Sequence, residues 1–310
     1  MTEAGLATKL RAVGRSLLES CETVQKQEMA HELDSVNLRR WTYLPRSRPG
    51  LLLGDMQKSQ RLLVHKILSL LLSESCHAQI ATIMAMEDIL DHREGHRRGR
   101  HATDFSFLIF GDPGGDGIWA MRLEGHHLCV HATVSVDQVT LGPVFLGCRP
   151  AVVRNGDRIV TAPLLHEEIL ARGILTELPP EQYSKAHVCG DSPPDIYTGN
   201  SGLISCSPPP VNGIHVSEME RKGQVAVRKL LRLYAERLSV SLQENLFDRL
   251  CSDNLTFAWE GGTREEQDHY YRLAGRTSVI EYSNSNCASH VHNVIRNCEQ
   301  DFGDNFLASH

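Results

Sequence analysis

Arg122-Leu123-Glu124-Gly125-His126-His127-Leu128-Cys129-Val130-His131 is the stretch on which the reading of this chain turns. Before it, Phe105 to Phe110 is apolar and rich in branched and aromatic residues, as a buried strand is. Gly111-Asp-Pro-Gly-Gly-Asp-Gly117 supplies a turn, and a second strand starts at Ile118. Trp119, Met121 and Leu123 are apolar at odd positions, whereas Leu128, Val130 and Ala132 are apolar at even ones. Side chains alternate along a strand, so the change of parity predicts an extra residue, a bulge at Gly125. One face is then apolar throughout, and the other carries Arg122, Glu124, His127, Cys129 and His131.

Outward from this stretch, strands continue over Gln138–Leu146 and Arg158–Ala162, separated by Gly and Pro turns that suit an antiparallel sheet. A second sheet segment begins at Leu255. Strands are predicted over Leu255–Trp259, His269–Leu273, Ser278–Tyr282 and His290–Arg296, a four-strand meander. Residues 1–100 read as a helical layer: Leu6, Leu10, Val13 and Leu17 recur at helical spacing, Asp55 can cap a helix from Met56 to Ser73, and another runs from Ser75 to Asp91. Pro163 starts a helix, residues 176–214 read as a long surface loop, and helices cover Val216–Arg237 and Ser239–Leu250. The expectation is one α+β domain over residues 1–310, with a largely antiparallel sheet built from residues 104–162 and 255–297. The N-terminal helices and those of residues 163–253 cover it.

Composition narrows the function. Hydrophobic residues make up 41% and charged residues 23%, as in an ordinary globular chain. The net charge of −6 disfavours nucleic acid as a partner. No apolar run reaches the roughly 20 residues that span a bilayer, and Met1–Ala12 lacks the apolar core of a signal peptide. Nine scattered cysteines without a Cys-x-x-Cys pair argue for reduced thiols and a cytoplasmic location. No nucleophile elbow, phosphate loop or dinucleotide glycine fingerprint is present.

The motifs Phe110-Gly-Asp-Pro, Trp119-x-x-Arg-x-Glu-Gly-His-His-Leu, Glu167-Glu-x-x-Ala-Arg and Phe257-Ala-Trp stand out. With them go His269-Tyr-Tyr-Arg, Ile280-Glu-Tyr-x-Asn, His290-x-His-x-Val-x-Arg and Asp301-Phe-Gly. In this order they resemble the family catalogued as domain of unknown function 3500. The resemblance covers most of the chain and implies no established reaction. The chain departs from the family pattern at His131 and Ser289, where Asn is common, which makes these two weaker site candidates than their neighbours.

The chemistry is therefore read from the residues. His290 and His292 differ by two, so they share a strand face about 7 Å apart along the chain. With His126 and His127 they form a metal-ligand set, which Glu124 or Glu281 can complete. Imidazole with carboxylate selects a divalent transition metal, zinc or iron, with copper as a further choice. Glu124, Glu281 and Arg122 are the catalytic candidates, a glutamate taking a proton from metal-bound water. Arg272, Arg296, His269 and Tyr271 are the substrate-binding candidates, since arginine clamps carboxylate or phosphate. The lead expectation is a metal-dependent hydrolase acting on a small polar or anionic molecule. The alternatives are an iron or copper oxidoreductase on the same ligands, and a non-catalytic binder whose histidines only hydrogen-bond.

Overall fold

The computed structural model of the chain describes residues 1–204 and 212–307. Eight strands form the centre in two runs of four. The first run is β1 (Ser106–Phe110), β2 (Trp119–Gly125), β3 (Leu128–Val134) and β4 (Val139–Cys148). The second is β5 (Thr256–Gly261), β6 (His269–Ala274), β7 (Ser278–Ser285) and β8 (His290–Asn297). Each run is an antiparallel meander, and the two join where β4 pairs antiparallel with β8. The order across the sheet is therefore β1-β2-β3-β4-β8-β7-β6-β5. Six longer helices accompany it: α1 (Glu3–Glu19), α2 (Lys58–Leu71), α3 (Glu74–Arg93), α4 (Leu165–Glu177), α5 (Arg221–Ala235) and α6 (Val240–Ser252). The fold is α+β.

The two faces of the sheet differ in what covers them. Phe107, Trp119, Met121, Leu123, Val130 and Ile280 bury one face in a core shared with helical residues such as Leu10, Leu17, Ile67 and Ile80. The other face meets irregular chain: Trp41, Tyr43 and Ile196 pack there on Leu108, Phe110, Cys129, Phe145 and Tyr270. Those segments need the strands' polar groups to satisfy their backbone, because they lack a ladder of their own.

Three expectations are corrected. No bulge stands at Gly125. Gly125 pairs with Leu128, and His126-His127 is the two-residue turn of a β2–β3 hairpin. Across such a turn Leu123 faces Val130 and Met121 faces Ala132, so odd and even positions share a face without an inserted residue. Chain reversal and a bulge leave the same parity signature. Second, the predicted loop at 176–214 holds a helix, Pro180–Ala186, and a strand, His187–Cys189. Its residues 195–201 cover the loop-facing side of the sheet, and residues 205–211 lie outside the described residues. Third, α2 starts at Lys58 on a Gln57–Gln60 capping box rather than on Asp55.

The pairing registers reveal two copies of one unit. Phe107 faces Leu123, and 150 positions on Phe257 faces Leu273. Arg122 faces His131, and 150 positions on Arg272 faces Glu281. Each outer strand is flanked by the same pair of short strands. Ala30 runs parallel beside Ile109 and Leu51 antiparallel beside Phe107; His187 runs parallel beside Trp259 and Ile214 antiparallel beside Phe257. Helix α1 packs on α2 as α4 packs on α5. The halves meet reciprocally: Leu72 bridges Leu238, the Ser73 amide donates to Arg237 O at 2.9 Å, and the Ser239 amide donates to Leu71 O at 2.9 Å. Such mutual contacts are the mark of a two-fold relation.

Gly125 closes the β2 strand under a ring. A Cβ there would lie 2.1 Å from Phe105 Cδ1, and Phe105 is fully buried with no room to retreat. Gly125→Ala is therefore expected to lose about 1–3 kcal/mol or more through overpacking. Urea unfolding checks this; an unchanged midpoint would show that the ring can move.

Candidate metal centre

The β2–β3 turn delivers His126 and His127 to the place where β8 begins. His127 adopts φ 64°, a left-handed conformation that costs a non-glycine residue roughly 1–2 kcal/mol. Its backbone is pinned on both sides: the amide donates to Tyr43 O at 3.1 Å, and the carbonyl accepts from the Gly147 amide at 2.7 Å. Gly147 faces His292 across β4 and β8. A side chain there would press on His127 and His292, each with Cδ2 at 3.2 Å from the Cβ position. The glycine leaves room for both rings.

His127, His290 and His292 converge, with one ligand atom from each within 4.8 Å of the others. Their ring centres lie 5.0 Å (127–290), 5.4 Å (127–292) and 4.5 Å (290–292) apart. His127 Nε2 and His290 Nε2 approach to 2.9 Å. The Nδ1 atoms are engaged outwards. His292 Nδ1 meets Asp195 Oδ1 at 2.6 Å, His127 Nδ1 lies 3.6 Å from Glu87 Oε1, and His290 Nδ1 meets the Asn286 amide at 3.2 Å. Asp195 is itself held by the Tyr43 hydroxyl at 2.9 Å, and Tyr43 stacks on Phe145 with centres 4.0 Å apart.

His126 belongs to a second, adjoining group with Glu87 and His127. Its Nδ1 is 2.8 Å from Glu87 Oε1 and 2.9 Å from Arg100 Nη1, and its ring stacks on His127 at 3.6 Å. Burial disfavours the charged form of His126, His127 and His290. Burial pushes the His127 pKa well below its usual value, with Glu87 opposing and the neighbouring histidines adding to the fall. Burial and His292 bring His290 down to about 3. Burial opposes ionisation of Glu87, but hydrogen bonds from His126 and His127 outweigh it and hold that carboxyl at about 2.

A cavity of about 200 Å³ adjoins the cluster, with Arg98, Arg100, Arg149, His126, His290 and His292 among its lining residues. Glu94 also lines it and pairs with Arg98 at 3.5 Å and Arg100 at 3.3 Å, and Arg100 meets Glu87 at 3.3 Å as well.

The structure brings His126, His127, His290 and His292 together and leaves the other site candidates elsewhere. Glu124 is fully buried, 3.1 Å from Arg122 Nε, and accepts the Thr42 amide. Glu281 is saturated by the amides of Tyr197 and Thr198, the Thr198 hydroxyl and the Tyr270 hydroxyl. Neither carboxylate bonds a histidine. Arg122 donates to Leu38 O and Arg40 O, and Arg296 pairs with Asp301 at 2.7 Å and donates to Ser201 O. These two arginines hold covering chain in place rather than facing a cavity of the cluster. Arg272 lies over the rings of Tyr197 and Tyr270. His269 and Tyr271 are on the helix-covered face, His269 beside Arg172 and stacked on Trp259, Tyr271 bonded to the Tyr234 hydroxyl. Cys129 is buried and its thiol pKa is raised by that burial, which rules it out as a ready nucleophile.

Glu87, Asp195, Tyr43 and Arg100 are the members that motif reading missed. The repeat offers a signal for one of them. Asp253 follows α6 and Glu87 lies on the buried stripe of α3, each 14 positions after the serine at the helix start (Ser239 and Ser73). Asp253 grips the backbone of the β6–β7 turn, accepting from the amides of Arg276, Thr277 and Ser278. Glu87 meets the β2–β3 turn instead through the rings of His126 and His127. One copy keeps a structural turn, and the other carries the imidazoles.

The fold and the site together define an α+β protein of two fused meanders with a buried histidine cluster at their junction. The family model described as protein of unknown function (DUF3500) matches residues 3–304, and the chain belongs to that family. No curated protein and no solved structure matches the chain. Among the described residues, no helix is long and apolar enough to cross a membrane.

Proposed function

We propose that this chain is a metal-dependent enzyme, a hydrolase acting on a small polar or anionic molecule. The observation that carries the reading is the convergence of His127, His290 and His292, each with a partner at Nδ1 and with the Nε2 atoms of His127 and His290 2.9 Å apart. Three imidazoles, two of them with a carboxylate behind, are the donor set of a catalytic transition-metal site. These three residues would hold the ion, zinc or iron, with copper as a further choice. A bound metal of this kind lowers the pKa of its water to near neutrality.

The rest is the work of the chain. Asp195, fixed by Tyr43, orients His292, and Glu87 orients His127. The Asn286 amide nitrogen faces His290 Nδ1 at 3.2 Å; with Nε2 as a ligand, Nδ1 would carry the proton and the amide would turn its oxygen to accept it. His126 lines the cavity with Glu87 behind it and is placed to accept a proton from a polarised nucleophile. Arg149 favours an anionic substrate at the same wall, where Arg98 and Arg100 are already paired with glutamates.

Metal analysis of protein purified without a histidine tag tests the reading. About one equivalent of zinc, lost to a chelator together with hydrolytic activity towards small phosphate or carboxylate esters, is the expected result. Stoichiometric iron or copper favours the oxidoreductase reading on the same ligands. Protein that binds none of these metals sinks both and leaves a non-catalytic binder.

A further inference from the structure

A second cavity, of about 250 Å³, lies between α6 and the sheet. It shares no lining residue with the cavity at the histidines. Leu242, Leu246, Leu250 and Val144 form its apolar wall. Three arginines interrupt that wall, Arg237, Arg249 and Arg296, the last paired with Asp301; Glu3 also lines it, its carboxylate accepting from the Val139 amide and Asn245 Nδ2. Arg237 and Arg249 each have one set of partners and spare buried donors. Among the described residues, Arg237 bonds Glu167 and Asn293 through Nη2 and keeps Nε and Nη1 without a partner; Arg249 bonds Gln300 through Nη1 and keeps Nε without one. Buried N–H groups without partners are uncommon and costly, roughly 1–3 kcal/mol each.

The duplication shows that the fold itself does not ask for these charges. The reciprocal bonds of Leu71 with Ser239 and of Arg237 with Ser73 put Leu71 and Arg237 at matching positions. Counting on from the two serines, Ile83 of α3 matches Arg249 of α6. Leu71 and Ile83 are buried in the core. The second copy thus replaces two core aliphatics by arginines and opens a cavity beside them.

From this we infer that the cavity is a binding site for a small amphipathic carboxylate, with its aliphatic chain on the leucines and its carboxylate on Arg249 and Arg237. An apolar cavity of about 150 Å³ takes benzene, a molecule of six heavy atoms. By proportion this one takes roughly ten, the size of octanoate. The carboxylate would supply the missing acceptors as charge-assisted bonds.

Calorimetric titration of the purified full-length protein with octanoate, against 1-octanol, tests the assignment. Saturable 1:1 binding of octanoate is expected, at least tenfold weaker in Arg249→Gln, whose half-buried side chain can change without a core cavity. Leu246→Phe, which fills the wall, is expected to weaken it similarly, and metal content should be unchanged in both variants. Chelator-treated protein should bind octanoate as well as untreated protein. Absence of saturable binding, equal binding of octanol, an affinity unaffected by Arg249→Gln, or binding abolished by the chelator would each overturn the proposal.

Discussion

His292→Ala is expected to abolish metal retention and catalytic activity together while leaving unfolding of the metal-free protein almost unchanged. The imidazole is part of the three-histidine set, so its removal takes a first ligand from the proposed ion. Losing an outer-shell partner of a ligand already costs about 10–100-fold in affinity, and losing the ligand should exceed that range. The fold has little at stake, because β8 is held by β4 and β7 on both sides through backbone bonds that the substitution keeps. The metal adds stability only in proportion to its occupancy. A chelator should therefore lower the melting temperature of the parent protein and leave that of His292→Ala where it is. A variant that kept full metal content would remove His292 from the site. One that unfolded outright would assign the histidines to the core as hydrogen-bonding groups. Asp195→Asn should fall between parent and His292→Ala, since it weakens only the group that orients the ring.

Arg122→Ala is expected to have the largest effect on stability, about 3–5 kcal/mol. Its guanidinium and the Glu124 carboxylate are both fully buried, 3.1 Å apart at Nε. Burial raises the Glu124 pKa, and the charges of Arg122 and Arg48 oppose that rise. Alanine at 122 leaves the carboxyl with its burial and without its nearest counter-charge. It also frees the carbonyls of Leu38 and Arg40, to which Arg122 donates at 2.8 and 2.9 Å. That segment leads into Trp41 and Tyr43, and Tyr43 supports Asp195 behind His292. Metal affinity should therefore fall as well, from a residue that contacts none of the four clustered histidines. The double variant Arg122→Met/Glu124→Leu separates the two contributions: apolar replacement of both partners is often close to neutral for stability, so it should recover most of the loss in a urea titration without recovering the metal affinity. A single variant costing under about 1 kcal/mol would mean that water reaches the pair.

Much of this protein was legible in its residues. The two meanders follow from local pattern: β-branched and aromatic runs, glycine turns and alternation of side chains are properties of a few consecutive residues. The pairing of His290 with His292 on one face is likewise local, as is the aggregation of Glu-Gly-His-His at one end of a strand. The parity change at Gly125 was a real signal with two structural causes, and strand period by itself does not distinguish a bulge from a reversal. The duplication was also present, at 150 positions, but it lies in matching registers more than in matching side chains, with Arg122, Leu123 and Gly125 echoed by Arg272, Leu273 and Gly275.

Only the tertiary structure decided which polar residues belong together. Glu124 and Glu281 lie on strands that lead to the candidate ligands, yet Arg122 and the Thr42 amide hold Glu124, and loop amides and hydroxyls hold Glu281. Glu87 and Asp195 reach the histidines from a helix and a loop that carry no motif for the purpose. A short spacing fixes which face a side chain takes, because backbone geometry sets that within a few residues. What fills the space opposite is set by packing between segments far apart in the chain, as when Tyr43 meets Asp195 across 152 positions and His127 meets His290 across 163. That choice exists only once both meanders have closed on β4 and β8.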